Sequence, residues 1–444
     1  MANLLLKLLL ATSFCVASSS AAHSQDPIAL VNANVIDGRG QQVRPGQTIT
    51  IVDGRIAAIY SGLERELPDG ARTIDLGGQT VIPGLIDGHV HFTSDRDGAV
   101  DGLREMLRAG ITTVRDLAGD SRIAQTLAAQ AESHPNTMPN IIYSAVFNGP
   151  QFLSDPRSVI SSVGREPGSA PWSRFVTESS EISLVVSDAR DFGATGLKLY
   201  SSLSPDLLQR LVTEARAQGM RSWVHSVVFP STATDVVAAA PDEIIHAKGF
   251  ISAGRSDLPD NFTDGIPGWV RVQDYENTDP DGPRFRELFE RMAENGTILQ
   301  PSLVADGDRR PGALPDWVAN MRAWACRLTA AAHAAGVTIS AGTDTVNFAQ
   351  GVYLPMELER LVECGLSPID ALQAATFNNA LAMGLENEIG SIEVGKRADL
   401  VVLSHDPSAN IENVRNVVMV FQSGHEVVNP LPTVPGSERS LLPN

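Results

Sequence analysis

The chain has 444 residues, of which 43% are hydrophobic, 19% charged and 5% aromatic, with 37 Gly and 27 Pro dispersed along it. Such a chain is globular, with two or three domains or one large barrel plus an attachment; collagen, coiled coil and wholesale disorder are excluded. Its 52 acidic side chains outnumber 34 basic ones, and the net charge of -18 opposes nucleic-acid or anionic-membrane partners and serves solubility.

Residues 1–24 carry one cation, Lys7, an apolar run and the small-residue stretch Ala17 to Ala22. This is the composition of a secretory signal peptide with cleavage after Ala22 or Ser24, which directs the mature protein to the periplasm or the exterior. Phe14 before Cys15 does not suit a lipid-modified cysteine. No later stretch reaches the roughly 18 apolar residues of a membrane span. Cys326 and Cys364 remain, too few and too unpatterned for a disulfide framework, and read as small hydrophobes in helices. Sequons at Asn261 and Asn295 matter only in a glycosylating host.

From Ile28 to Ile82 short period-two runs (Ile28 to Val31, Thr48 to Val52, Arg55 to Ile59) alternate with turn pairs such as Asp53-Gly54 and Gly77-Gly78. The same grammar returns at Ala398 to Leu403 and Val414 to Gln422. The spacing predicts a small β-sandwich domain built from both ends, residues 25–80 and 386–444, the latter with a C-terminal tail. Between them, residues 81–385 alternate apolar strands and helical stretches, the pattern of a (β/α)8 TIM barrel in the α/β class. The strands are Val81 to Ile86, Thr112 to Leu117, Asn140 to Val146, Gly196 to Tyr200, Arg221 to His225, Glu243 to His246, Thr297 to Leu299 and Thr338 to Ala341. Helices are expected over Asp101 to Ala109, Pro205 to Gln218, Gly282 to Asn295 and Asp316 to Ala335. Two connections, Asn148 to Glu181 with Trp172 and Phe250 to Arg284 with Trp269 and Tyr275, exceed what barrel packing needs. Loops of that length are lids or spacers, and both leave the chemical face of the barrel.

His89-Val90-His91 ends the first barrel strand. Alternate strand residues share a face, so two imidazoles at this spacing can reach one metal ion, although such pairs also occur as ordinary core histidines. The other polar singletons strengthen the metal reading. Lys198, His225 and His246 each sit near the C-terminal end of a separate apolar strand, and Asp344 follows the last. Arg115 and Asp116 pair with each other or orient ligands; Tyr200 and Trp223 pack or line the pocket. His333, His405 and His425 fall away from this end.

The chain resembles the amidohydrolase superfamily, in the branch of Xaa-Pro dipeptidases and imidazolonepropionases. The likeness rests on Gly77 to His91, on Gly110-Ile-Thr-Thr-Val-Arg-Asp116 and Ala341-Gly-Thr-Asp344, and on Asp370 to Thr376 followed by Gly390 to Leu403. It covers nearly the whole mature chain. The resemblance implies His89, His91 and Asp344 on one divalent ion and His225 and His246 on a second, with Lys198 bridging as a carbamate. Zinc is the default for such ligands. It further implies that a hydroxide shared by the two ions hydrolyses an amide, peptide-like, lactam or lactone bond, with Asp344 as general base and acid. The substrate is then a small molecule or peptide-like compound, and barrels of this kind often form homo-oligomers. Mononuclear deaminases and cyclic-imide hydrolases of the same fold are the alternative. Deaminases lack the bridging lysine and place a glutamate soon after the fifth-strand histidine, where this chain has Ser226 to Phe229. Two departures speak against carboxypeptidase-type specificity: no tyrosine lies between His225 and His246, and Phe147-Asn-Gly-Pro150 stands where relatives carry a glycine-glycine-histidine.

Overall fold

The computed structural model describes residues 26–427 apart from 41, 63–64, 95–96, 163, 256–271, 307–314 and 347–351. The expected leader with Cys15, the sequon at Asn261, Trp269 and the tail beyond 427 lie outside the described residues.

The first strands are β1 (Ile28–Val35), β2 (Arg44–Val52), β3 (Arg55–Ser61), β4 (Arg72–Asp75) and β5 (Thr80–Pro83). The barrel is built from β6 (Leu85–Val90), β7 (Ile111–Asp116), β8 (Asn140–Asn148), β11 (Gly196–Ser201), β12 (Arg221–His225), β13 (Glu243–Ile245) and β14 (Ile298–Gln300), each paired in parallel with the next. Two short strands, β9 (Ser169–Ala170) and β10 (Ser173–Phe175), belong to the long connection after β8. The predicted eighth strand is reduced to single bridges, Leu299 with Ile339 and Val90 with Thr345. Backbone hydrogen bonds from Gly88 N–H to Ala341 O (3.0 Å) and from His91 N–H to Thr345 O (2.8 Å) close the ring at this seam.

The predicted first strand, Val81 to Ile86, proves to be two. Thr80–Pro83 pairs outside the barrel, and Leu85–Val90 enters it. The break falls at Gly84, where a Cβ would lie 2.1 Å from Thr112 Oγ1, so only glycine lets the chain pass from one sheet to the other.

Strand alternation sorts the barrel side chains. Ala145, Phe147, Leu197, Leu199, Val224 and Leu299 pack outward in the main core with the helices, so Val146, Lys198 and Trp223, which alternate with them, point inward. The helices follow their predicted spans within two residues, for example Ala99–Arg108, Pro205–Ala217, Pro283–Asn295 and Asp316–Ala334. In Pro205–Ala217 the Ser204 hydroxyl accepts from Leu207 N–H, proline opens the first turn, and Leu207, Leu208, Leu211, Val212 and Ala215 form the buried face.

After the barrel, β15 (Leu400–Leu403), β16 (Val417–Gln422) and β17 (His425–Glu426) return to the first strands, giving one eight-stranded sheet of order β17-β16-β15-β5-β1-β2-β3 with β4 beside β1. The sheet folds back on itself. Ile56 N–H donates to Lys396 O (2.9 Å) and Gly395 N–H to Ile56 O (2.8 Å), so edge strand β3 meets the segment leading into β15. Ile49, Ile51 and Ile56 share a core with Leu400, Val402 and Phe421.

The connection after β8 is folded. Its β10 pairs in parallel with β8, and Trp172 is buried with its indole N–H donated to Ser161 O (2.9 Å). No helix among the described residues is long and apolar enough to cross a membrane.

The two cysteines overturn the sequence expectation, for they are joined. Cys326, within the helix Asp316–Ala334, and Cys364, capping Leu354–Glu363, form a disulfide with Cα atoms 5.1 Å apart. Neither cysteine count nor spacing reveals a pair that only helix packing brings together. With the cysteines at a sequence separation of 38, loop-closure entropy sets its contribution at about 3–4 kcal/mol. Cys326→Ser is therefore expected to lower the melting temperature, as is reduction of the native protein; an unchanged melting curve after confirmed reduction would refute this.

Candidate metal centre

Six side chains selected from the sequence converge on the C-terminal end of the barrel. His89 and His91 come from the end of β6, and their Nε2 atoms lie 3.1 Å apart. Asp344 follows the seam. Its Oδ1 is 3.0 Å from His91 Nε2 and 3.4 Å from His89 Nε2, and its Oδ2 is 3.9 Å from His246 Nε2. The ligand atoms of His89, His91 and Asp344 all fall within 4.8 Å of one another. The His246 ring is 5.2 Å from that of His89 and 4.5 Å from that of His225. Lys198, fully buried on β11, is close enough for its charge to act on His89, His225 and His246.

The backbone is bent to make this arrangement. His246 and Asp344 have φ of 70° and 56°, in the left-handed region that non-glycine residues occupy at a cost and mostly at functional positions. At Asp344 the turn is held by its N–H donating to His89 O (2.8 Å).

Burial, aided by neighbouring positive charge, drives the pKa values of His89, His225 and His246 well below the usual imidazole range. Neutral imidazole is the form that ligates metal. For His91, burial acts in the same direction, but the hydrogen bond and charge of Asp344 and the charge of Asp116 outweigh it and raise the pKa. Burial would raise Asp344, yet His89, His91 and His246 hold it well below the carboxylate range.

The donor set fits a cation. His91 Nδ1 donates to Ala118 O (3.2 Å), leaving Nε2 directed at His89 and Asp344. Nε2 atoms 3.1 Å apart and facing a carboxylate need a shared proton or a cation between them. His246 Nδ1 is buried without a hydrogen-bond partner, a second nitrogen suited to ligation.

Around the centre, the structure departs from the sequence reading at Arg115 and Asp116, which do not pair with each other. Arg115 forms a fully buried ion pair with Glu243, while Asp116 Oδ2 accepts from the Thr93 N–H and hydroxyl, both at 3.2 Å. Burial pushes the Asp116 carboxyl up to about 6. Trp223 packs, donating its indole N–H to Ala382 O (2.9 Å). Tyr200 lines the site, its ring 4.3 Å from that of His225 and 5.3 Å from that of Phe152, and its hydroxyl accepts from Arg157 of the connection after β8. His333 pairs with Asp370 (3.6 Å) and His405 with Ser404 (2.9 Å); neither joins the centre, nor does His425 on β17.

Sequence reasoning missed Gln300, Glu243 and Asp87. Gln300 Oε1 lies 3.0 Å from His89 Nδ1, and Asp87 accepts from His89 N–H (3.2 Å) and the Thr343 hydroxyl (2.7 Å). A signal existed for Glu243 and Gln300, each the one polar residue of a three-residue strand.

Comparison with known proteins places the chain in a family and a fold. A family model described as "Amidohydrolase family" matches residues 80–427. Imidazolonepropionase of Symbiobacterium thermophilum is 25% identical over 441 residues, covering 82% of this chain and 87% of that protein. Adenine deaminase 3 of Rhizobium meliloti is 25% identical over 394 residues, 86% of this chain but 55% of that protein's length. A solved Xaa-Pro dipeptidase with methionine bound in its active site superposes with a TM-score of 0.68 at 23% identity, over 90% of this chain and 99% of the other, a likeness of fold.

Proposed function

The chain belongs to the amidohydrolase family, whose chemistry is metal-dependent hydrolysis of carbon–nitrogen bonds, and on that premise we propose an exported binuclear enzyme acting on a small amide or peptide-like substrate. The observation that carries the reading is the convergence of the His89, His91 and Asp344 ligand atoms within 4.8 Å. In this reading those residues hold one divalent ion, and His225 and His246 hold a second. Lys198 would complete the set as a carbamate, because an ammonium buried among ligand imidazoles repels a cation whereas a carbamate is a carboxylate-like ligand. Nitrogen and carboxylate donors suit zinc. When bound, divalent ions polarise a carbonyl and lower the pKa of water toward about 7.

The chain's own residues supply the rest. Asp344, kept ionised by the imidazoles around it, accepts the proton released as water attacks the carbonyl and returns it to the leaving nitrogen. Tyr200, with Phe152 and Arg157 behind it, forms a wall against which substrate is oriented. Export is supported by the composition of residues 1–24 and by the Cys326–Cys364 disulfide, since such bonds persist in oxidising compartments.

A mononuclear deaminase or cyclic-imide hydrolase is the competing reading. It draws on the fact that, among the described residues, only His89, His91 and Asp344 make a compact ligand group. Elemental analysis separates the two, combined with a 13C NMR search for a lysine carbamate in protein equilibrated with labelled bicarbonate. About two ions per chain, a carbamate signal and turnover of N-acyl amino acids, dipeptides or lactones are expected. One ion, no carbamate and ammonia release from aminopurines would establish the deaminase instead.

A further inference from the structure

Beneath the centre, buried polar side chains link five barrel segments. Arg115 on β7 pairs with Glu243 on β13, both fully buried. Arg115 Nε donates to Gly88 O (2.7 Å), and its guanidinium lies 4.5 Å over the Trp223 ring. Glu243 Oε1 accepts from Ser340 Oγ (2.6 Å) and from Gln300 Nε2 (3.3 Å). Gln300, buried at the end of β14, turns Oε1 toward His89 Nδ1 (3.0 Å). The space for this carboxamide is built in: a Cβ on Gly88 would lie 2.7 Å from Gln300 Nε2, and one on Gly342 would lie 2.6 Å from Gln300 Oε1.

The order of donors and acceptors follows from this chain. Glu243, a carboxylate paired with Arg115, can only accept hydrogen bonds. Gln300 must therefore present its amino group to Glu243, which removes the usual ambiguity between the two ends of an amide. Its carbonyl oxygen then faces His89. A carbonyl oxygen cannot donate, so His89 Nδ1 carries the proton, and in the neutral ring Nε2 holds the lone pair. That lone pair points at His91 and Asp344.

We propose that Gln300 is a positioning residue: locked by Glu243 and Arg115, it holds His89 in the Nδ1–H tautomer that offers Nε2 to a divalent cation. The inference rests on the reading of His89 as a ligand. It extends the control of the centre to two strands that donate no ligand, β7 through Arg115 and β14 through Gln300, with Ser340 of the seam bound to the same Glu243.

The test uses the full mature chain and zinc alone. Long-range 1H–15N spectra of metal-free protein labelled at histidine nitrogens, with His89→Ala for assignment, report the tautomer; competition with a chelating dye reports zinc affinity. We expect an Nδ1–H His89 in the native protein. Gln300→Met, of similar volume but with no acceptor, is expected to lose that signature and weaken zinc binding by roughly 10–100-fold, with the far-UV circular dichroism unchanged. An Nε2–H His89 in the native protein overturns the proposal whether or not the variant folds. Undiminished zinc affinity in folded Gln300→Met overturns it as well, provided His89→Ala lowers that affinity. If His89→Ala binds zinc as tightly as the native chain, it is the ligand reading itself that fails.

Discussion

Asp344→Asn is expected to lower kcat by roughly 10²–10⁴-fold with little change in the melting temperature. The substitution is sterically mild. Asparagine tolerates the left-handed backbone that Asp344 adopts at φ 56°, and the N–H donated to His89 O is unaffected. What disappears is chemical. The neutral amide cannot take up a proton, and the three imidazoles lose the negative charge that faces them at 3.0, 3.4 and 3.9 Å. Steady-state kinetics on the best substrate from the amide panel, with metal content measured in parallel, check the point. A variant within about tenfold of the native kcat would leave Asp344 as a ligand without a proton-transfer role.

Lys198→Ala is expected to strike the metal load as well as the rate. Lys198 is wholly buried, in register with Trp223 on β12 and Val146 on β8. As an ammonium it depresses the basicity of His89, His225 and His246 and competes with any cation they could hold. In the proposed carbamate, formed when the neutral amine reacts with carbon dioxide and loses one proton, that repulsion would become attraction. Removing it should take bound metal from about two ions per chain to about one or fewer. Lewis-acid polarisation worth several kcal/mol goes with it, so kcat falls by roughly 10²–10⁴-fold. Short-chain carboxylic acids supplied in solution should restore part of both. Full activity and full metal content in Lys198→Ala would remove the bridge from the mechanism.

Periodicity explains why the candidate ligands stand out in the sequence. His89, Lys198 and His225 are inward positions on strands whose outward neighbours are apolar, and His91 and His246 directly follow apolar strand ends, so each shows as a polar interruption of a hydrophobic run. What the sequence withheld was the pairing within the relay behind them. Arg115, Glu243 and Gln300 are separated by 128 and 57 residues, and nothing local tells Arg115 to choose Glu243 over its neighbour Asp116. The same holds for Cys326 and Cys364, which meet only because two helices pack. At the seam, Thr338 to Ala341 has the composition of a strand, but its ladder shrinks to single bridges as the chain turns to place Asp344. The break in Val81 to Ile86 is likewise tertiary, set by the approach of Thr112 to Gly84.

The folded-back sheet also fixes an order in time. β5 lies between β1 and β15, and β15 is synthesised more than three hundred residues after β5. As the chain emerges from the ribosome, β1 to β5 have no partner for the β15 side of their sheet until the barrel between them has been made. The N-terminal strands are therefore the last part of the molecule to be completed, although they are the first to be translated.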